Sequence, residues 1–481
     1  MRTGSNHAIS VPIRTYPYLS VFCVGFLSAN GVGDSETFSC VSGISWFKKS
    51  PRPAEGVLDD LFVHAMVMEK NGKYTGFLVF DLLHLGNFMF DEIRIDLKAE
   101  GISWADDIII SATHTHTGFM SRGPSQRPEE NYAYREAVAA AVRAMKRAVR
   151  SMAPAELFYA EHEGNPYTFV RRYFMKNGAV VTNPTRCNPD IVGPETDFDQ
   201  HVRIIVVKQF GRIAAILVNL ANHCDTVGGD IVSADWPGRM EAEVQYGLKS
   251  SIPVFGLTDA SGNINHFKVH EKIDQTNYDE AVRIGRGYGQ IVLGLLDKLQ
   301  PLNLGDIEIS HKNDVVIPHR KVTDEQYELA KKYLEDTKDV PVTGGDLTSE
   351  GLSGGDVTVW RHFAKRVVDC REKSTPSHVC SVTRVNFGKE LAFITLPGEP
   401  FNGIAQAIRK ASPYKYNIVV ELAQSASSYV PMHECFGNIS DEPTGATSYA
   451  PPYGGYEAQP GINTVAPNAS DELIKASIEN L

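Results

Sequence analysis

The sequence predicts an α/β fold: mixed β-sheets layered with helices, in one large domain. Three observations carry that prediction. Apolar runs of strand length alternate with segments of helical period, the pattern of strand-helix-strand units. Several apolar runs are joined by hairpin-type turns, so antiparallel pairs stand beside the parallel ones and the sheets are mixed. No linker divides the 481 residues, a length that buries a sizeable core without disulfides.

The elements follow in order. Tyr18 to Leu27 reads as a core strand. Leu61 to Val67 and Gly76 to Leu83 read as a hairpin, with Asn71-Gly72 at its turn. Ile108 to Ala112 is a buried strand. Asn131 to Ser151 is Ala- and Arg-rich with helical spacing, and Pro154 lies beyond its end. Residues 165–200 read as a long irregular loop of the kind that often carries function. Val202 to Gln209 and Ile213 to Leu220 form a strand pair around Phe210-Gly-Arg212. Asp235-Trp-Pro237 reads as a cap and a first-turn proline opening a helix through Lys249. Val254 to Leu257 is a short strand, and Tyr278 to Leu299 a helix. Thr323-Asp-Glu-Gln326 is a capping box. Residues 340–356 read as a mobile loop. Arg384 to Phe387 and Leu391 to Leu396 form a hairpin, and a helix follows Pro397-Gly-Glu399-Pro400. Residues 425–468 are rich in Tyr, Gly and Pro and show no helical period.

Composition narrows the function classes. The net charge is −11 with dispersed Lys and Arg, which argues against a nucleic-acid partner. Seven cysteines stand at 23, 40, 187, 224, 370, 380 and 435. None forms a Cys-x-x-Cys pair, so neither a disulfide framework nor a zinc ribbon is expected. No apolar run approaches the roughly 20 residues of a membrane span. Pro12 and Pro17 fit a signal peptide poorly, so a cytoplasmic location is expected.

The chemistry gathers where strands end. Ser111-Ala-Thr-His114-Thr-His116-Thr-Gly118 follows the Ile108-Ile-Ile110 run. On an extended backbone, residues i and i+2 share a face, so His114 and His116 would sit side by side. His223, the Asp259/Ser261/Asn263 group and Glu399 also follow strands. Parallel neighbours bring such ends together at one sheet edge. Two histidines and a glutamate are a common catalytic zinc set that leaves a position open for water. Structural readings stand beside these: backbone-bonded histidines, Glu399 satisfying a helix N-terminus beside Pro400, Ser261 as a turn residue, and the tyrosines as loop packing. Asp235 reads as a cap and Cys224 as a packing residue. Asp81 ends a strand and could orient a histidine from behind.

These motifs resemble, in order, those of the catalytic domain of neutral/alkaline non-lysosomal ceramidases. They are Ala-Thr-His114-Thr-His116-Thr-Gly, Asn222-His223 with Ser233-Ala-Asp235-Trp-Pro-Gly238, Asp259-Ala-Ser261-Gly-Asn263, Leu396-Pro-Gly-Glu399-Pro, Ser428-Tyr429-Val-Pro, and Gly455-Tyr456-Glu457. The resemblance runs from about residue 60 onward. It implies a zinc hydrolase domain over residues 56–481, with 1–55 a divergent segment of the same domain. It implies zinc held by His114, His223, Glu399 and Tyr429. Free tyrosine has a pKa of about 10, so Tyr429 either ligates as a phenolate favoured by zinc or hydrogen-bonds the oxyanion. His116, Arg171, Ser261 and Tyr456 match positions around the metal and the substrate's polar head. Arg172 is the alternative to Arg171. Three features depart from the family: Thr258 and Gly262 replace a glycine and a proline, residues 1–55 lack its usual opening, and no stretch matches its C-terminal immunoglobulin-like domain.

The resemblance implies hydrolysis of a C–N amide bond in a small-molecule or lipid-like substrate by attack of zinc-bound water. Two other readings remain open: a zinc hydrolase of a lactone, ester or carbohydrate-linked substrate, and a non-catalytic ligand-binding protein on the same scaffold.

Overall fold

The computed structural model describes residues 19–23, 41–42, 52–119, 128–341, 357–373, 375–436, 455–458 and 463–481. Its main strands are β1 (Leu19–Cys23), β2 (Val63–Lys70), β3 (Lys73–Phe80), β4 (Ile108–Ala112), β5 (Ala153–His162), β6 (Val202–Gln209), β7 (Arg212–Leu220), β8 (Val254–Thr258), β9 (Ile307–Pro318), β10 (Ser377–Phe387), β11 (Leu391–Thr395) and β12 (Tyr416–Val420). The helices between them are α1 (Asn87–Ala99), α2 (Pro128–Arg150), α3 (Asp235–Leu248), α4 (Tyr278–Leu295), α5 (Asp324–Asp336), α6 (Val357–Lys373), α7 (Asn402–Ala411) and α8 (Ala469–Glu479).

Two sheets form the centre. The first has the order β8-β7-β6-β5-β1-β2-β3-β4, and the second β9-β10-β11-β12. Both are mixed, as expected. The pairs β3/β4, β7/β8 and β11/β12 are parallel, and the other neighbours in these two orders are antiparallel. The β2–β3 hairpin turns through Asn71 (φ 54°) and Gly72 (φ 81°), the left-handed pair that a type I′ turn demands.

The layers run helix, sheet, sheet, helix. On β2, Val63, Ala65 and Val67 face α1 and α2, packing with Met89, Phe90, Ile93 and Met145. The alternate residues Met66 and Met68 face the second sheet, packing with Val385, Phe393 and Val420. Both faces are therefore apolar, and the strand reads as a continuous hydrophobic run rather than an alternation. Phe77 and Phe393 meet edge to face at 4.8 Å across the two sheets, a preferred aromatic geometry. Helices α3 and α4 cover β6 to β8 through Trp236, Met240, Ile284 and Tyr288. Helices α7 and α8 cover the outer face of the second sheet.

Two sequence expectations need correction. Residues 165–200 are not irregular. They hold the short strands Phe169–Val170, Arg172–Met175, Val180–Thr182 and Ile191–Pro194, the last three forming a small sheet. Strands of two to four residues are too short to display period-two alternation. Asp235 is not the α3 cap: Ala234 holds that position. The expected mobile loop, from residue 342 to 356, lies outside the described residues, as do most of 1–55 and 437–454.

Candidate metal centre

The chemistry-bearing strand ends meet through sheet curvature. The edge strand β8 returns against β4: Thr258 Oγ1 donates to the Thr113 carbonyl at 3.4 Å. Beyond the strands, Thr115 and Cys224 form a parallel bridge, and His116 N donates to the Cys224 carbonyl at 3.1 Å. The runs after β4 and β7 thus lie side by side. Glu399 arrives from the second sheet, after β11. The ends converge from two sheets, not at one edge of one sheet as expected.

His114 does not continue the strand. Its φ is 74°, a left-handed conformation that side chains adopt at a cost. The extended i, i+2 arrangement is therefore corrected: the His114 and His116 rings stand edge to face, 5.0 Å apart. His114 Nδ1 lies 2.8 Å from the Leu83 carbonyl. A carbonyl only accepts, so Nδ1 carries the proton and Nε2 is left bare in the neutral ring.

His223 follows β7 and is fully buried. Trp236 Nε1 donates to its carbonyl at 2.9 Å. The adjoining loop is gathered by the Asp235 carboxylate, which accepts from Thr226 N and Val227 N at 3.0 Å each and from the Thr226 hydroxyl. Asp235 serves this loop at the start of α3. Cys224 is buried and donates its thiol proton to the Thr113 carbonyl, a packing role as expected.

Glu399 lies in a two-residue strand, Glu399–Pro400, paired in parallel with Tyr429–Val430. Gly398 before it has φ 61°, and a Cβ there would collide with the Ser428 carbonyl. Only glycine fits that approach. Helix α7 starts at Asn402 with Phe401 as its cap, so Glu399 does not serve the helix N-terminus. Its Oε2 lies 3.3 Å from both His114 Nε2 and His223 Nε2.

Three buried acceptor atoms here, His114 Nε2, His116 Nε2 and Glu399 Oε2, lack a hydrogen bond among the described residues, an arrangement with the donor set to hold a cation. Burial, with Arg171 and His114 nearby, pulls His223 down to about 4. Burial and then His114 pull His116 down to about 3. Burial also lowers His114, but Glu399 outweighs it and raises the ring. Glu399 is held well below the carboxylate range against its own burial, by His114 and His223. The side chains thus crowd acceptor atoms around one point. Ligand atoms of His114, His116 and His223 also lie within 4.8 Å of one another. Both candidate metal sets share His114 and His223 and differ in taking His116 or Glu399. The Glu399 set brings a negative charge, and its oxygen is equidistant from both rings.

The other expected residues surround this point. Arg171 lies between the short strands: Nη1 is 3.1 Å from His223 Nε2, Nη2 donates to the Gly262 carbonyl at 2.6 Å, and Nε pairs with Glu457 at 2.8 Å. Its guanidinium lies 5.2 Å from the centre of the Tyr429 ring. Arg172 points away, to Glu195, Glu457 and the Cys435 carbonyl, as alternation along an extended backbone dictates. Ser261 is fully buried, with Oγ 3.5 Å from His223 Nδ1. Tyr456 begins the single turn Tyr456–Ala458; its side chain lies outside the described residues. Asp81 accepts from Thr113 Oγ1 and Phe62 N, so it braces the loop rather than a histidine ring.

Sequence reasoning misses three groups here. The Glu421 carboxylate accepts from Ser261 N at 2.9 Å and from the Ser261 hydroxyl, and burial pushes it up to about 8. Glu457 anchors both arginines and accepts from Thr182 Oγ1 at 2.6 Å. Asp225 accepts from His266 Nδ1 at 2.9 Å while His266 Nε2 donates to the Gln275 carbonyl at 2.7 Å. Both partners accept, so His266 is an imidazolium. Recognising Tyr416–Val420 as a strand would have pointed to Glu421, which occupies the same place after a strand as the other site residues.

Comparison with known proteins places the architecture. No family model matches the chain, and no curated sequence does. Solved structures do match. Neutral ceramidase from Pseudomonas aeruginosa superposes with a TM-score of 0.65 at 15% identity, over 96% of this chain and 74% of that one. A ceramidase complexed with C2 gives 0.67 at 16% identity, with the same coverage. The fold of this chain is neutral-ceramidase-like.

Proposed function

We propose that this chain is a zinc-dependent hydrolase that cleaves the amide bond of a ceramide-like or other N-acyl substrate. One observation carries the reading: His114 Nε2, His116 Nε2 and Glu399 Oε2 lie buried without a hydrogen bond among the described residues, beside His223, on a neutral-ceramidase-like fold. In this reading His114, His223 and Glu399 hold the metal, and Tyr429 either joins them as a phenolate or keeps its proton for the oxyanion. His114 Nε2 offers a free lone pair, His223 Nε2 offers one that now faces Arg171 Nη1 at 3.1 Å, and Glu399 supplies the negative charge that a dication favours.

Bound zinc supplies Lewis acidity and brings the pKa of a water toward about 7. The protein does the rest. Arg171, its charge offset by Glu457, presents donors toward the substrate's polar head. His116 is kept neutral, so its Nε2 accepts a hydrogen bond or relays a proton without adding positive charge. If Tyr429 keeps its proton, its hydroxyl would donate to the developing oxyanion, a contact typically worth about 3 kcal/mol. Ser261 and Tyr456 complete the polar surround. Among the described residues no helix is long and apolar enough to cross a membrane.

The test is a panel of N-acyl amides (short-chain ceramides included), lactones and esters, each with and without a chelator. The account expects chelator-sensitive release of fatty acid from an amide. Turnover confined to lactones or esters would redirect it to the second substrate class. Hydrolysis untouched by chelation and by His114→Ala would overturn it.

A further inference from the structure

Glu421 stands apart from the other buried acids near the centre. It follows β12 and is completely buried, its own N–H donating to the Thr258 carbonyl at 2.9 Å. Asp259 and Glu457 each face arginines, and Glu399 faces two histidines. The hydrogen bonds recorded for the Glu421 carboxylate both come from Ser261, one from its N–H and one from its hydroxyl. No ion pair to it occurs among the described residues. A buried carboxylate in that state is costly unless a cation nearby offsets it.

The direction of the hydrogen bonds says what the group does. A cation bound at the centre would favour the ionised form of Glu421, which only accepts, so the Ser261 hydroxyl proton then goes to Glu421. The remaining Ser261 lone pairs face His223 Nδ1, 3.5 Å away. That end of the ring is therefore the protonated one, and Nε2 is the acceptor, 3.1 Å from Arg171 Nη1 and 3.3 Å from Glu399 Oε2. His114 reaches the same tautomer by a different clamp, the Leu83 carbonyl. The charges agree. With Tyr429 keeping its proton, two neutral imidazoles, Glu399 and a divalent ion sum to +1, Arg171 is offset by Glu457, and one further negative charge completes the balance.

We propose that Glu421 is a positioning residue for the metal centre: through Ser261 it reinforces the tautomer of His223, on the side opposite Arg171, and supplies a counter-charge for a divalent cation. The inference rests on the metal-centre reading above. Such partners behind a ligand typically tune metal affinity about 10- to 100-fold.

The experiment measures zinc affinity of the full chain by competition with a fluorescent chelator, together with the melting temperature of the metal-free protein. Glu421→Gln keeps the shape and one acceptor oxygen but loses the charge. It should weaken zinc binding about 10- to 100-fold while the metal-free protein melts at or above the wild-type temperature, a split that a purely structural role would not produce. Ser261→Ala should weaken binding in the same direction, and the double variant should add little, because both act along one path. Zinc affinity within twofold of wild type for Glu421→Gln, or fully additive losses, overturns the proposal. If Glu421→Gln fails to fold, Ser261→Ala alone decides, by the same twofold criterion. His223→Ala separates the two readings: loss of zinc there with unchanged affinity in Glu421→Gln refutes only the role of Glu421. Zinc retained by His223→Ala refutes the centre and this proposal together.

Discussion

Two buried clusters of ionisable groups lie either side of the β8 end, and they are built on opposite principles. At one, Asp199 and Asp259 interleave with Arg203 and Arg409. Arg203 reaches Asp199 at 2.6 Å, Arg409 reaches it at 3.1 Å, and Arg409 also bonds Asp259. His201 Nδ1 adds a contact to Asp199 at 2.7 Å. These carboxylates are paired with nearby guanidinium groups. At the other, two residues along the chain from Asp259, the acceptor atoms of His114, His116 and Glu399 stand without partners. Both clusters are costly to desolvate; in the first the carboxylates are hydrogen-bonded to guanidinium groups, while the second leaves acceptor atoms without a hydrogen bond among the described residues. Ionisable residues alone therefore do not identify a site. Unmet hydrogen-bonding capacity in a buried, converging set does.

The contrast breaks most visibly by deletion. His223→Ala should leave the fold intact by circular dichroism but release zinc, measured by elemental analysis, and abolish hydrolysis. The same loss of metal from a variant of the paired cluster would erase the distinction. Arg409→Met should do the reverse. It strands Asp259, which is 2% exposed in its side chain, and should destabilise the protein by about 3 kcal/mol in chemical denaturation while zinc content stays stoichiometric.

A smaller effect sharpens the comparison through pH. Burial works against ionisation of Asp199, but Arg203 and Arg409 hold it down to about 2 from 3.8. A depressed folded pKa means that the stabilisation is present above the unfolded value and is lost as pH falls from about 4 to about 2. Thermal unfolding across that window should show the loss in the wild type. Asp199→Asn should start less stable at neutral pH and change less over the same range.

How much of this was legible in sequence depends on whether the signal is local. The β2–β3 hairpin is legible because Asn71-Gly72 meets the stereochemistry of its turn. The capping box at Thr323 and Gln326 forms as read. His114, His223 and Glu399 are legible as residues placed after apolar runs. Their convergence from two sheets is not, because it depends on curvature that brings β8 back to β4. Arg171 and Arg172 are indistinguishable in sequence and separate only in the fold, where both pair with Glu457 but it is Arg171 that reaches His223. Glu421 is hidden because its strand, Tyr416–Val420, is short and follows a helix without a clear turn. The positive φ of His114 is invisible for a similar reason: a histidine in an extended run carries no sign that the chain will bend there.

The most direct test is anomalous diffraction at the zinc edge, using crystals of the full chain purified without chelator. The account predicts one strong peak bounded by His114 Nε2, His223 Nε2 and Glu399 Oε2. Density free of metal, with these side chains hydrogen-bonded to one another, or a peak elsewhere in the molecule, would contradict it.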